Sequence, residues 1–137
     1  PHATEAELIQ ALRISGAITM VQQDAASLDR LINEGGRGLS GGQRQMVLLS
    51  RLIVRNPQIV LLDEPTASMD EQLEAWVIRQ LQQWLTGRTL ILVTHRPALL
   101  NLVDRIVVME NGKIIADGPR DSLLKQAQNN SNVASIA

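Results

Sequence analysis

Apolar positions along the chain repeat with two periods, and the period changes mark the elements. After Thr4, Leu8, Ile9 and Leu12 recur at helical spacing, Glu7 stands three residues on to close a capping box, and Gly16 ends the pattern. Residues 3–30 read as helical in character, with a second helical stretch near 24–32 and a glycine-rich loop, NEGGRG, at 33–38. Between Gly41 and Arg55, Met46, Leu49, Leu52 and Ile53 keep helical spacing while Arg44, Arg51 and Arg55 share a solvated face. Ser40 is placed as the N-cap, and Asn56-Pro57 stops the helix. The run IVLL at 59–62 is apolar without alternation, as in a parallel strand buried on both faces. Residues 71–86 place Leu73, Trp76, Val77, Leu81, Trp84 and Leu85 on one stripe, so both tryptophans read as core, and Asp70 as the cap. TLILVT at 89–94 is a second buried strand, ending at His95. Residues 105–109 and 113–117 form strands joined at Asn111-Gly112, a hairpin turn, and a last helix runs over 120–128 before a frayed tail, NNSNVASIA. Strands alternating with helices indicate an α/β fold.

Composition changes this picture in few places. A chain of 137 residues is one domain or part of one. Two Trp with no Phe or Tyr leave the core to Leu, Ile, Val, Ala and Met. A formal net charge of −1 gives no bulk attraction toward nucleic acid or an anionic membrane. The lack of cysteine removes disulfides and thiolate metal sites and fits a reducing compartment. No apolar run approaches the roughly 20 residues that span a bilayer. The chain opens at Pro1 without a signal-peptide pattern, as an excised piece of a longer protein would.

Three short stretches carry chemistry. In GLSGGQRQ, residues 38–45, Ser40, Gly41 and Gly42 stand at a helix N-terminus, where unpaired N–H groups and the helix dipole favour an anion. An ordinary capped helix after a loop explains Ser-Gly-Gly equally simply. IVLLDEP puts Asp63 and Glu64 at the carboxyl end of a strand, where open α/β sheets bind ligands. Asp63 there can hold Mg²⁺ through oxygen or water, and Glu64 can orient and deprotonate a water. Solvated carboxylates opening a turn before Pro65 are the alternative. His95 ends the second strand and emerges on the same edge, where it can donate to a terminal phosphate; alone it reads as a surface histidine, like His2. Together the three stretches make the parts of one phosphoryl-transfer site.

The order of these motifs resembles the ATP-binding cassette (ABC) ATPases. LSGGQ at 39–43 is similar to the family signature, IVLLDE at 59–64 to Walker B with its catalytic glutamate, Ala67-Ser68-Met69-Asp70 to the D-loop, and His95 to the switch histidine. Residues 34–38 fall where exporters carry the loop that contacts the transmembrane domain. Within the family, LSGGQRQ, DEPTASMD and LVTHRPALLNLVDRIVVMENGKIIADGP look most like type I secretion exporters of the hemolysin or RTX-toxin type. The Walker A pattern G-x-x-x-x-G-K-S/T, the adenine-stacking aromatic and the glutamine loop do not occur, so the chain resembles the C-terminal half of a nucleotide-binding domain.

The resemblance implies a partial P-loop NTPase fold: a helical subdomain with the signature over 1–56, the C-terminal part of the α/β core with a hairpin and helix over 57–128, and a tail over 129–137. It implies ATP and Mg²⁺, with Ser40, Gly41, Gly42 and Gln43 on the nucleotide, Asp63 on the metal, and Glu64 and His95 as catalytic residues. Its implied partners are a second nucleotide-binding domain in a head-to-tail dimer, an exporter's transmembrane domain and a missing N-terminal half with Walker A; no nucleic acid partner is implied. The place would be the cytoplasmic face of a bacterial inner membrane, and the isolated chain is expected to be inactive. Strand 89–94 is expected to pair with 59–63, and its other edge to lack a neighbour. Two other functions compete. A DNA-maintenance ATPase of the same superfamily would lead into heptads, which are not seen. A non-catalytic docking half-domain would need neither Glu64 nor His95.

Overall fold

The structure, a computed structural model, describes residues 3–23 and 38–134, without the side chains of 129–134. The helix expected near 24–32 and all of the loop NEGGRG but Gly38 lie outside the described residues, as does Glu34 of the expected membrane-domain contact. The chain divides into two compact units, Pro1–Ala98 and Leu99–Ala137.

The first unit opens with α1, Glu5–Ser15, held by the expected Thr4–Glu7 capping box and closed by Gly16 in the left-handed conformation at φ 81°. A short helix α2, Ile18–Gln23, follows. The signature helix α3, Gly41–Arg55, begins at Ser40 and ends at Asn56, also left-handed at φ 48°. α1 packs on α3 and on α4, Glu71–Trp84. The approach is close at Gly16, where an added Cβ would lie 2.9 Å from Leu73 Cδ1 and 3.3 Å from the Met46 sulfur. Ala11, Met46, Leu49, Ile53, Val77, Ile78 and Leu81 form the buried interior, and a buried Ser15–Ser50 hydroxyl contact of 2.7 Å joins α1 to α3.

Strands β1, Ile59–Asp63, and β2, Thr89–Val93, pair in parallel with Ile59 opposite Thr89 and Asp63 opposite Val93. This pairing is the expected one, and among the described residues the far edge of β2 carries no strand. Burial on both strand faces is corrected. Val60 and Leu62 are buried, whereas Ile59, Leu61, Ile91 and Val93 are 53–68% exposed. Side chains alternate between the faces of a strand, and only one face is covered by described residues. Trp76 and Trp84, expected in the core, are half-buried; Trp84 carries the Arg88 guanidinium over its ring at 4.6 Å.

The second unit begins at Leu99, within the 3-10 helix Pro97–Leu102, and contains β3, Arg105–Glu110, antiparallel to β4, Lys113–Pro119. Asn111 at φ 50° and Gly112 at φ 75° make the two-residue turn that the sequence signalled. The last helix, α5, runs over Arg120–Ala134, so most of the tail expected to fray is helical. No described helix is long and apolar enough to cross a membrane.

Candidate active site

Parallel pairing sets the carboxyl ends of β1 and β2 side by side, so Asp63-Glu64 and Thr94-His95 leave the sheet together. Glu64 has a left-handed backbone, φ 43°, which costs a residue with a Cβ on the order of 1 kcal/mol and marks a position held by its surroundings. Its N–H donates to the Val93 carbonyl at 2.9 Å. Its carbonyl accepts from Ala67 N–H at 3.2 Å and from Gln45 Nε2 at 3.1 Å.

The Glu64 carboxylate is itself surrounded by donors. Oε1 accepts from the His95 backbone N–H at 2.9 Å and meets His95 Nδ1 at 2.7 Å, and Oε2 accepts from the Thr94 hydroxyl at 3.1 Å. An ionised carboxylate only accepts, so Nδ1 carries a proton. The His95 side chain is 80% exposed, which presents Nε2 to solution. Burial pushes the Glu64 carboxyl up, but the hydrogen bonds from the His95 ring, the His95 N–H and the Thr94 hydroxyl, with the His95 charge, hold it below its ordinary value.

Asp63 ends β1 with an exposed side chain. A single exposed carboxylate suits Mg²⁺, which takes one or two protein carboxylates and keeps water and phosphate oxygens for the rest. Among the described residues no group of three His, Cys, Asp or Glu side chains is placed to hold a metal ion by itself.

At the start of α3 the Ser40 hydroxyl accepts from Gln43 N–H at 3.2 Å, and Gln43 Oε1 accepts from Ser40 N–H at 2.9 Å. The Gln43 side chain is thus turned back into the cap. Gly41 and Gly42 occupy the first two helical positions, whose N–H groups have no acceptor within the helix. With the exposed Ser40 hydroxyl hydrogen, they suit a phosphate oxygen. The structure therefore brings Asp63, Glu64 and His95 together and places Ser40–Gln43 on a separate helix end. Among the described residues no hydrogen bond joins Ser40 to Glu64 or His95.

Several side chains that support the site escaped the sequence reading. Glu74 is buried on α4. It accepts from Arg96 Nη1 and from the buried Thr66 hydroxyl, each at 2.5 Å, and Arg96 Nη1 also donates to the Thr66 carbonyl at 2.8 Å. Arg96 N–H donates to the Thr94 hydroxyl at 3.0 Å, so His95 lies between two anchored residues. The available signal was Glu74 itself. It stands beside Val77, Ile78 and Leu81 on the buried face, and a carboxylate there requires a cationic or hydrogen-bonding partner.

A sequence model described as ABC transporter matches residues 2–67. The exotoxin translocation ATP-binding protein PaxB of Pasteurella aerogenes is 36% identical over 125 residues, covering 91% of this chain and 18% of that protein. The chain belongs to the ABC transporter family. The alpha-hemolysin translocation ATP-binding protein HlyB of Escherichia coli is 34% identical over 128 residues, 93% of this chain and 18% of that protein. Among solved structures, a bacterial Atm1-family ABC exporter with ATP bound superimposes at a TM-score of 0.82 with 29% identity, over 91% of this chain and 22% of that one. The fold is that of a partial ABC ATPase domain, and the chain spans under a fifth of the length of these curated relatives.

Proposed function

We propose that these residues are part of an ATP-hydrolysing nucleotide-binding domain that powers export across a membrane, of a protein toxin by type I secretion. The names of PaxB and HlyB, translocation ATP-binding proteins for an exotoxin and a hemolysin, support the export class. The domain would work as one of two paired head to tail, joined to a transmembrane domain at the cytoplasmic face of a bacterial inner membrane.

The observation that carries the catalytic reading is the Glu64–His95 pair at the shared end of β1 and β2. Oε1 of Glu64 already accepts two hydrogen bonds and Oε2 only one, which leaves Oε2 the site that takes a proton from an attacking water. His95, with Nδ1 committed to Glu64, meets a phosphate through Nε2 and donates there in its imidazolium form. Ser40, Gly41 and Gly42, braced by the Gln43 cap, meet the terminal phosphate of the nucleotide on the partner domain. Asp63 holds Mg²⁺, which when bound neutralises phosphate charge. A docking module without catalysis would need none of the Glu64–His95 geometry.

Mixed dimers of the full-length protein, their subunits differently tagged, test this reading. With Ser40→Arg on one subunit and Glu64→Gln on the other, both lesions fall in one composite site and the second site stays intact. With both substitutions on one subunit, each site is struck once. The first arrangement is expected to retain more ATPase activity. Greater activity from the doubly substituted subunit would mean that Ser40 serves its own domain's nucleotide.

A further inference from the structure

Gln45 lies on the first turns of α3, half-buried, and reaches across to the segment that follows β1. Its Nε2 donates to the Glu64 carbonyl at 3.1 Å, and its Oε1 accepts from Ser68 N–H at 3.0 Å. One amide thus spans both ends of the 64–68 turn. The match has a polarity: a carbonyl faces the NH₂ and an N–H faces the C=O, so the reversed amide would oppose like groups at both ends. Glutamate at this position has no donor for the Glu64 carbonyl, and leucine satisfies neither end.

A second observation places the same turn against the same helix. A Cβ on Gly41 would lie 2.9 Å from Ser68 Oγ, and one on Gly42 would lie 2.8 Å from the Ser68 backbone oxygen. Gly42 is therefore needed for packing on the Ser68 backbone, and Gly41 packs against the Ser68 side chain, whatever they do toward a phosphate. Meanwhile the left-handed Glu64 backbone is held at its N–H by Val93 and at its carbonyl by Ala67 and Gln45. Of these three holds, only Gln45 comes from another helix.

We propose that Gln45 is a positioning residue for Glu64, locking the 64–68 turn to the N-terminus of the signature helix so that Ser40 and Glu64 of one chain move as one piece. The proposal rests on the reading of Glu64 as the base. On that reading, Ser40 attends the partner's nucleotide while Glu64 attends its own. A shift of the signature helix in one composite site then reaches the base of the other through two hydrogen bonds and one packed peptide.

The test uses the full-length protein with Gln45→Glu and Gln45→Leu. Gln45→Glu keeps the acceptor for Ser68 and loses the donor for Glu64. Both variants are expected to lower kcat about tenfold with the KM for Mg-ATP within about twofold of wild type, because the lesion misplaces the base and leaves nucleotide binding alone. Amide hydrogen exchange at Ser68 should stay slow in Gln45→Glu and become fast in Gln45→Leu. Mixed dimers then locate the effect. Gln45→Glu on one subunit with Ser40→Arg on the other should retain more activity than both on one subunit, since the two lesions then share a site. The reverse order, or equal activity, would mean that Gln45 acts by holding its own Ser40 or the fold at large, and overturns the proposal. So does a kcat within twofold of wild type in both variants. The dimers with Ser40→Arg opposite Glu64→Gln, run in parallel, judge the head-to-tail reading separately; if they fail, the single-variant kcat still decides the role of Gln45.

Discussion

Glu64 combines three demands at one residue: a left-handed backbone, a peptide tied to β2 and α3, and a carboxylate bonded to Thr94 and His95. Its depressed carboxyl fixes the sign of a pH effect. Because the folded value lies below the unfolded one, the stabilisation is fully present above about pH 4.3 and is lost as pH falls through the folded value. The ¹³C resonance of the Glu64 carboxyl should titrate with a midpoint below that of an ordinary glutamate. In His95→Ala, which removes the ring hydrogen bond and keeps the backbone one, the midpoint should move up. An unmoved midpoint would remove the histidine ring from the explanation. The sequence placed Glu64 and His95 at two strand ends but could not pair them, because their bond depends on the parallel register of β1 with β2.

At the level of elements, Glu74 of α4 and Arg96 beyond β2 bind the helix to the strand ends through Thr66. The Glu74 side chain is 11% exposed and that of Arg96 28%, so the pair is shielded yet not dry. Arg96→Met leaves a buried carboxylate with only the Thr66 hydroxyl, and should destabilise by about 2 kcal/mol, less than a fully buried pair loses. Adding Glu74→Leu should cost less than the sum of the two single changes, since the stranded charge is gone. Urea unfolding followed by the fluorescence of Trp76 and Trp84, both on α4, reads these changes near their source. Strict additivity would show that the ion pair contributes nothing. The helices themselves were legible because caps are local: Thr4 with Glu7, Ser40 with Gln43 and Asp70 with Leu73 act within three residues. Glu74–Arg96 spans 22 residues and leaves no periodic trace.

For the whole molecule, the pattern G-x-x-x-x-G-K-S/T, whose lysine and amides cradle a β-phosphate, does not occur in the 137 residues. Calorimetry of this chain with Mg-ATP should show binding weaker than about 1 mM, the affinity left to a capped helix end and a few side chains. Micromolar affinity would place a complete nucleotide site within these residues. The exposed aliphatic face of Ile59, Leu61, Ile91 and Val93 belongs to the same scale. The sequence correctly marked these strands as apolar on both sides, but which side is covered depends on what packs there.

The sequence by itself marked α1, α3, α4, the four strands, the caps at Thr4, Ser40 and Asp70 and the Asn111-Gly112 turn, and it offered Asp63, Glu64, His95 and Ser40–Gln43 as candidate site residues. These follow from periodicity and from bonds that close within a few residues, and the motif order carried the family. Only the tertiary structure decided that His95 bonds to Glu64, that Gln45 clasps the turn behind it, that Gly41 and Gly42 rest on Ser68, and that Glu74 meets Arg96. Each of these joins residues 19 to 31 positions apart. Such contacts are set by strand register and helix packing, and a linear pattern of apolar and polar positions does not record them.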